Sequence, residues 1–210
     1  CRLCCDESLI VSFESNMLKK HPFLSTFLFL FIFGCWFGML QAEVLPVYDT
    51  LGGDFEMDST LGKTVSLRDY EGKLLLIYFG YTSCPDVCPT TLTVIKQAVQ
   101  KLDTKNELIQ VLFISVDPER DSLEKMKTYL EFFNPGFVGL HAPFEEIQQV
   151  TKKFGSFFMK DEVNKSAIGY LVTHTGYVYL MDRKARIRKM FSSKVDTPEM
   201  IETVNLLLKP

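Results

Sequence analysis

Apolar residues fall into three patterns along this chain, and each pattern points to a different kind of element. Residues 23–40 carry no charge and are dense in Phe and Leu. LLLIYFGY (74–81) and LIQVLFISVD (108–117) are short continuous apolar runs bounded by turn residues or proline, the signature of strands buried on both faces. Elsewhere the apolar positions recur at helical spacing. Val87, Leu92, Ile95, Val99 and Leu102 predict a helix that begins near Pro85 and ends near DTKN. DSLEKMKTYLEFF (121–133) predicts a second, capped by Asp121 or Ser122 with Glu124 in its first turn. A third is opened by Pro143 and stopped by Gly155.

The remaining segments complete the order. DFEMDSTLGKTVSLRDYEGK predicts two short extended pieces around the Gly62–Lys63 turn, with a second turn at Gly72–Lys73. GFVGLHA is a short strand. Within 167–182 the residues 177–181 alternate, and the chain returns through Arg183–Lys184 into RIRKMF as a hairpin. DTPEMIETVNLLL closes as a capped amphipathic helix. Strand–helix–strand followed by a hairpin and a terminal helix implies an α/β domain, a mixed sheet with helices on both faces. There are no repeats and no low-complexity tracts.

The uncharged stretch near the start belongs to a different part of the chain. From Met17, MLKKHPFLSTFLFLFIFGCWFGMLQAEVLP reads as a basic n-region, an apolar h-region and a small residue at Ala42. A spanning helix needs about 17–25 residues, so signal peptide and anchor both fit. Leu40 is a poor small residue three positions before a cut, which favours the anchor. Cys35 follows Gly34, but the bulky Phe33 spoils an acylation pattern. Lys19 and Lys20 put everything after Ala42 on the far side of the membrane. Residues 1–16, CRLCCDESLIVSFESN, precede a plausible start methionine. They read as an over-extended frame or a disordered tail, and Cys1, Cys4 and Cys5 lack a partner pair at metal-finger spacing. The expected division is therefore 1–16, an anchor or signal at 17–42, a linker at 43–52, and one domain at 53–210. With 23 basic and 26 acidic side chains and no Lys/Arg run, nucleic acid is not an expected partner.

Setting aside the tail and Cys35 leaves Cys84 and Cys88 as the thiols of the exported domain. An oxidising compartment turns such a pair into a disulfide unless it is kept reduced or liganded. Cys84 sits at the start of the helix that follows a buried strand, and Cys88 lies about one turn, 5.4 Å, further along. Two sulfurs so placed can approach each other or share one ion. A helix N-terminus also favours thiolate, the form that both attacks and coordinates. A merely structural disulfide would close a very short loop and add little stability. Redox pair and metal site both remain open from the residues alone.

YFGYTSCPDVCPTTL (78–92) resembles the cysteine segment of the Sco/SenC family, copper chaperones for cytochrome c oxidase assembly. SVDPERDSLEKMKTYL is similar to that family's next block, and His174–Thr175 to its histidine block. The resemblance runs from about Gly52 to the C-terminus. It implies a thioredoxin-like fold, copper bound by Cys84, Cys88 and His174, and a membrane-anchored domain in the bacterial periplasm or mitochondrial intermembrane space. It also implies a partner: the copper-binding subunit of the oxidase, or another copper chaperone. Two thiolates and one imidazole suit Cu(I), whereas structural zinc wants a fourth ligand.

Three departures stand out. Thr173 occupies a position where the family usually has aspartate, LHA replaces LTG and introduces His141 (a substitute or auxiliary ligand, or an exposed loop histidine with no role), and RKAR replaces a turn glycine. Competing functions are an exported thiol–disulfide oxidoreductase and a copper or redox sensor, with a peroxidase weaker still. The spacing C-x-x-x-C and the absence of proline in 170–176 argue against a thioredoxin-type reductase. Asp117, Glu119 and Asp121 read as an acidic docking rim or as groups that tune the site, with helix capping by Asp121 and ordinary solvation as the simpler account of most of this charge and Arg120 as a counter-charge. Tyr78, Phe79 and Tyr81 read as core.

Overall fold

The computed structural model describes residues 45–103, 107–166 and 169–209. The expectations for 1–16 and 17–42 lie outside these residues. Among the described residues no helix is long and apolar enough to cross a membrane.

Among the described residues nine strands and four α-helices follow one another: β1 Glu56–Ser59, β2 Thr64–Ser66, β3 Leu74–Gly80, α1 Val87–Leu102, β4 Ile109–Ser115, α2 Leu123–Glu131, β5 Val138–His141, α3 Phe144–Lys153, β6 Phe158–Ser166, β7 Gly169–His174, β8 Val178–Met181, β9 Ile187–Phe191 and α4 Thr197–Leu208. Seven strands form one sheet in the order β2-β1-β5-β4-β3-β8-β9, and β6 and β7 form a separate two-stranded sheet among the described residues.

The two apolar runs occupy the centre. Every residue of β3 and β4 is buried, and the strands pair in parallel from Leu74↔Ile109 to Gly80↔Ser115. Each fully buried Leu, Ile or Phe contributes about 1.5–3 kcal/mol by transfer from water. Alternation sends Tyr78 and Phe113 to one face, where Phe113 meets Tyr129 of α2, and Phe79 to the other, where it meets Phe154 after α3. Helices therefore cover both faces, as the element order requires.

This topology also gathers the loops that matter. Parallel pairing brings the C-terminal ends of β3 and β4 to one edge of the sheet. β8 runs antiparallel to β3, with Val178 opposite Tyr78, so the residues just before β8 arrive at that same edge. Gly80, the last residue of β3, lies beneath the cysteines. A Cβ there would sit 2.8 Å from the Phe113 ring, 3.1 Å from Tyr78 and 3.2 Å from Cys88 Sγ. Gly80→Ala is expected to destabilise the protein by about 1–3 kcal/mol through overpacking, read as a lower urea midpoint at unchanged slope.

Several expectations need correction. α1 starts at Val87, with Asp86 as its N-cap residue, so Pro85 lies ahead of the helix rather than in its first turn. Ser122 caps α2 by accepting from the Lys125 N–H, and Asp121 is not a cap. The expected acidic rim is not solvated, since Asp117 and Asp121 are fully buried and Glu119 alone is open to solvent. The β6–β7 hairpin was not expected. A two-stranded ribbon outside the main sheet has little buried face to impose a period-two pattern, and β6 begins FMKDE. In the β8–β9 turn, where RKAR replaces the turn glycine of the resembled family, Ala185 takes the left-handed conformation at φ 55°.

Candidate metal centre

Cys84 lies in the loop after β3 and Cys88 at the second residue of α1. Both are free thiols. The Cys88 N–H, unpaired within the helix because it belongs to the first turn, donates to Cys84 Sγ at 3.4 Å. The turn thus points the first sulfur back at the second.

Asp121 holds this loop. Its carboxylate accepts from the Thr82 N–H at 2.9 Å, from the Thr82 hydroxyl, from the Ser115 hydroxyl at 2.8 Å and from Lys125 Nζ at 3.3 Å. A buried carboxylate is tolerated only when so satisfied, and here the requirement ties the loop after β3 to the end of β4.

His174 ends β7 and is half-buried. Its ring stands edge-on to Tyr78 and Tyr81, with centroids 6.2 and 5.9 Å away. Nδ1 lies 3.3 Å from the Thr175 carbonyl oxygen, which can only accept and so favours the tautomer with the proton on Nδ1. Nε2 is left with its lone pair, 3.5 Å from Cys88 Sγ. This is the tautomer a metal ligand needs.

The donor atoms of Cys84, Cys88 and His174 all lie within 4.8 Å of one another. Two donors at about 2.0–2.3 Å from a shared ion span at most about 4.6 Å, and roughly 4 Å in a trigonal arrangement. Closing the site therefore takes a contraction of less than about 1 Å. The three residues form the one group of potential metal ligands among the described residues.

The two thiols are electrostatically unequal. A hydrogen bond from the Cys88 thiol, opposed by burial and supported by the Asp86 and Cys88 backbone N–H groups, holds the Cys84 thiol down to about 4. The same bond, together with burial, pushes the Cys88 thiol up. One sulfur is a stored thiolate, and the other keeps its proton until something replaces it.

The other sequence candidates lie elsewhere. His141 ends β5, with Nε2 3.2 Å from the Pro118 carbonyl oxygen, and is not brought to the cysteines. Tyr78 and Phe79 are core, as expected. Tyr81 is core too, but its hydroxyl also accepts the Val172 N–H at 3.3 Å, attaching β7 to the cysteine loop. Nothing in the local sequence distinguishes Tyr81 from a packing residue, because its partner is 91 residues away. Tyr170, on the same strand, was not singled out for a similar reason.

Comparison with known proteins adds a family. The profile described as SCO1/SenC matches residues 46–209. The SCO2-like protein of Rickettsia conorii is 36% identical over 152 residues, 72% of this chain and 74% of that protein. Among solved structures, Bradyrhizobium japonicum ScoI with copper bound aligns with a TM-score of 0.67 at 36% identity, covering 75% of this chain and 99% of that one. Arabidopsis thaliana ScoI with copper bound aligns with a TM-score of 0.69 at 32% identity, covering 76% and 98%.

Proposed function

The chain belongs to the SCO1/SenC family, and from that premise we propose that it binds copper through Cys84, Cys88 and His174 and serves the assembly of the copper A centre of cytochrome c oxidase. The observation that carries this reading is the convergence of two thiols and one imidazole within 4.8 Å, a soft donor set with no fourth protein ligand among the described residues. Copper-bound relatives of the same fold support it.

Copper is cargo here, and its release follows from the unequal exposure of the donors. Cys88 is completely buried, while Cys84 is 9% exposed and His174 is half open. Thiolates of a recipient enter from the side where His174 and Cys84 lie, and displace Cys88 last. Loading copper as Cu(I) displaces the Cys88 proton, so binding releases about one proton near neutral pH. The pair must be reduced beforehand, since a disulfide offers no thiolate. The recipient is the copper-binding subunit of the oxidase or a second copper chaperone. Residues 17–42 hold the protein at a membrane, 43–52 link it to the domain of 53–210, and that domain faces the periplasm or the mitochondrial intermembrane space.

The test is Cu(I) titration of the reduced full-length protein in detergent, followed by mixing with a reduced apo copper A domain. One equivalent bound and then passed to the recipient is expected. Protein that retains no copper after gel filtration, yet reduces a disulfide in the recipient catalytically, would overturn the reading in favour of an oxidoreductase.

A further inference from the structure

Segment SVDPER, residues 115–120, contributes no donor to the cluster, yet it grips the hairpin that carries His174. Asp117 is fully buried, and its two carboxylate oxygens are divided between two partners: Oδ1 accepts the Tyr170 hydroxyl at 2.6 Å, and Oδ2 accepts Arg120 Nε. The Arg120 guanidinium lies 3.8 Å from the Tyr170 ring centroid and 5.7 Å from that of Tyr81. Its Nη1 also donates to the Tyr170 carbonyl oxygen at 2.9 Å. Outside this layer Glu119 pairs with Lys160 of β6. One loop therefore holds both strands of the ribbon.

The geometry of β7 converts that grip into a position for the imidazole. Residues 170, 172 and 174 share a face, because side chains alternate along a strand. Tyr170 is clamped by Asp117 and Arg120, and the Val172 N–H is held by Tyr81. His174 follows on the same line at the end of β7, just ahead of β8 of the main sheet, while the β6–β7 ribbon itself lies outside that sheet. A lone two-stranded ribbon has little stability of its own, so its placement depends on these side-chain contacts.

We propose that Arg120 is a positioning residue for the metal centre: stacked on Tyr170 and anchored by Asp117, it sets the height of β7 and hence the reach of His174 toward Cys88. The inference rests on the reading that the three donors bind copper. Loss of Arg120 leaves the cysteine loop in place, because Asp121 holds it separately, and lets the imidazole withdraw.

The experiment measures Cu(I) affinity of the full chain by competition with a chromophoric chelator. Arg120→Ala, Arg120→Lys and Tyr170→Phe are compared in the wild-type and His174→Ala backgrounds. Arg120→Ala is expected to weaken binding about 10-fold to 100-fold in the wild type and to change nothing once His174 is gone. Arg120→Lys, which keeps the charge but not the planar fork, recovers part of the loss. Tyr170→Phe keeps the stacked ring, loses the hydroxyl and weakens binding by roughly threefold to tenfold. In the Cu(II) form, nitrogen coupling in the electron paramagnetic resonance spectrum fades in Arg120→Ala. Equal affinity of Arg120→Ala and wild type overturns the inference alone, as does an equal loss in both backgrounds. A wild type that binds no copper overturns the underlying reading and the inference with it. Should Arg120→Ala fail to fold, the other two variants carry the same comparison.

Discussion

Cu(I) affinity is expected to fall about 100-fold or more when His174 is replaced by alanine, while the cysteine pair still forms and breaks a disulfide. An outer partner of a metal ligand is worth about 10-fold to 100-fold, and a ligand itself should exceed that range. The structure explains why nothing nearby can substitute. His141 faces the Pro118 carbonyl oxygen, and no other His, Cys, Asp or Glu joins the cluster among the described residues. Dithiol exchange, by contrast, needs only the sulfurs and the helix start, which His174 does not build. Chelator competition and a dithiol exchange assay on the same preparation separate the two effects. Near-equal copper affinity in the variant would remove the imidazole from the site.

Alkylation of the reduced, copper-free protein is expected to strike Cys84 at least about 100-fold faster than Cys88, at a rate nearly flat from about pH 5.5 to 8. The sign follows from the direction of each shift. The Cys84 thiol is lowered from 9.0 to about 4, chiefly by the hydrogen bond from Cys88, so its thiolate population is lost only as the pH falls through about 4. Cys88 is raised and fully buried, and it stays protonated and shielded across the range. An ordinary thiol would instead slow about tenfold for each pH unit of acidification. A low-pKa thiolate is intrinsically less nucleophilic, so flatness with pH rather than absolute rate is the signature. Mass spectrometry of peptides from iodoacetamide-treated protein reads both the selectivity and the profile. A rate for Cys84 that climbs tenfold per unit between pH 6 and 8 would contradict the assignment.

Both expectations depend on loops gathered at one edge of a parallel strand pair, and this is where sequence and structure contribute differently. The buried runs at 74–81 and 108–117, the helices and the terminal hairpin were legible because each buries a face with its own period. The cysteine pair was legible because its chemistry is local: two thiols one turn apart at a helix start. The hairpin of β6 and β7 was not, since it stands outside the main sheet and its charged first strand shows no buried period. Asp117 and Asp121 were misread as solvated because an acidic residue in a loop is usually exposed. Their burial depends on Tyr170, Arg120, Thr82 and Ser115, some of them dozens of residues distant.

The amino-acid order alone determined the strands of the main sheet and its flanking helices, though not the β6–β7 ribbon, and that a reactive thiol pair would sit where a buried strand meets a helix. Local periodicity and local backbone chemistry suffice for that. Only the folded sheet decided that His174 Nε2 meets Cys88, that Tyr81 and Arg120 hold the strand bearing it, and that the two sulfurs hold their protons so unequally. These properties come from contacts between residues far apart in the chain and from removal of water around them, and neither is encoded in the spacing of neighbours.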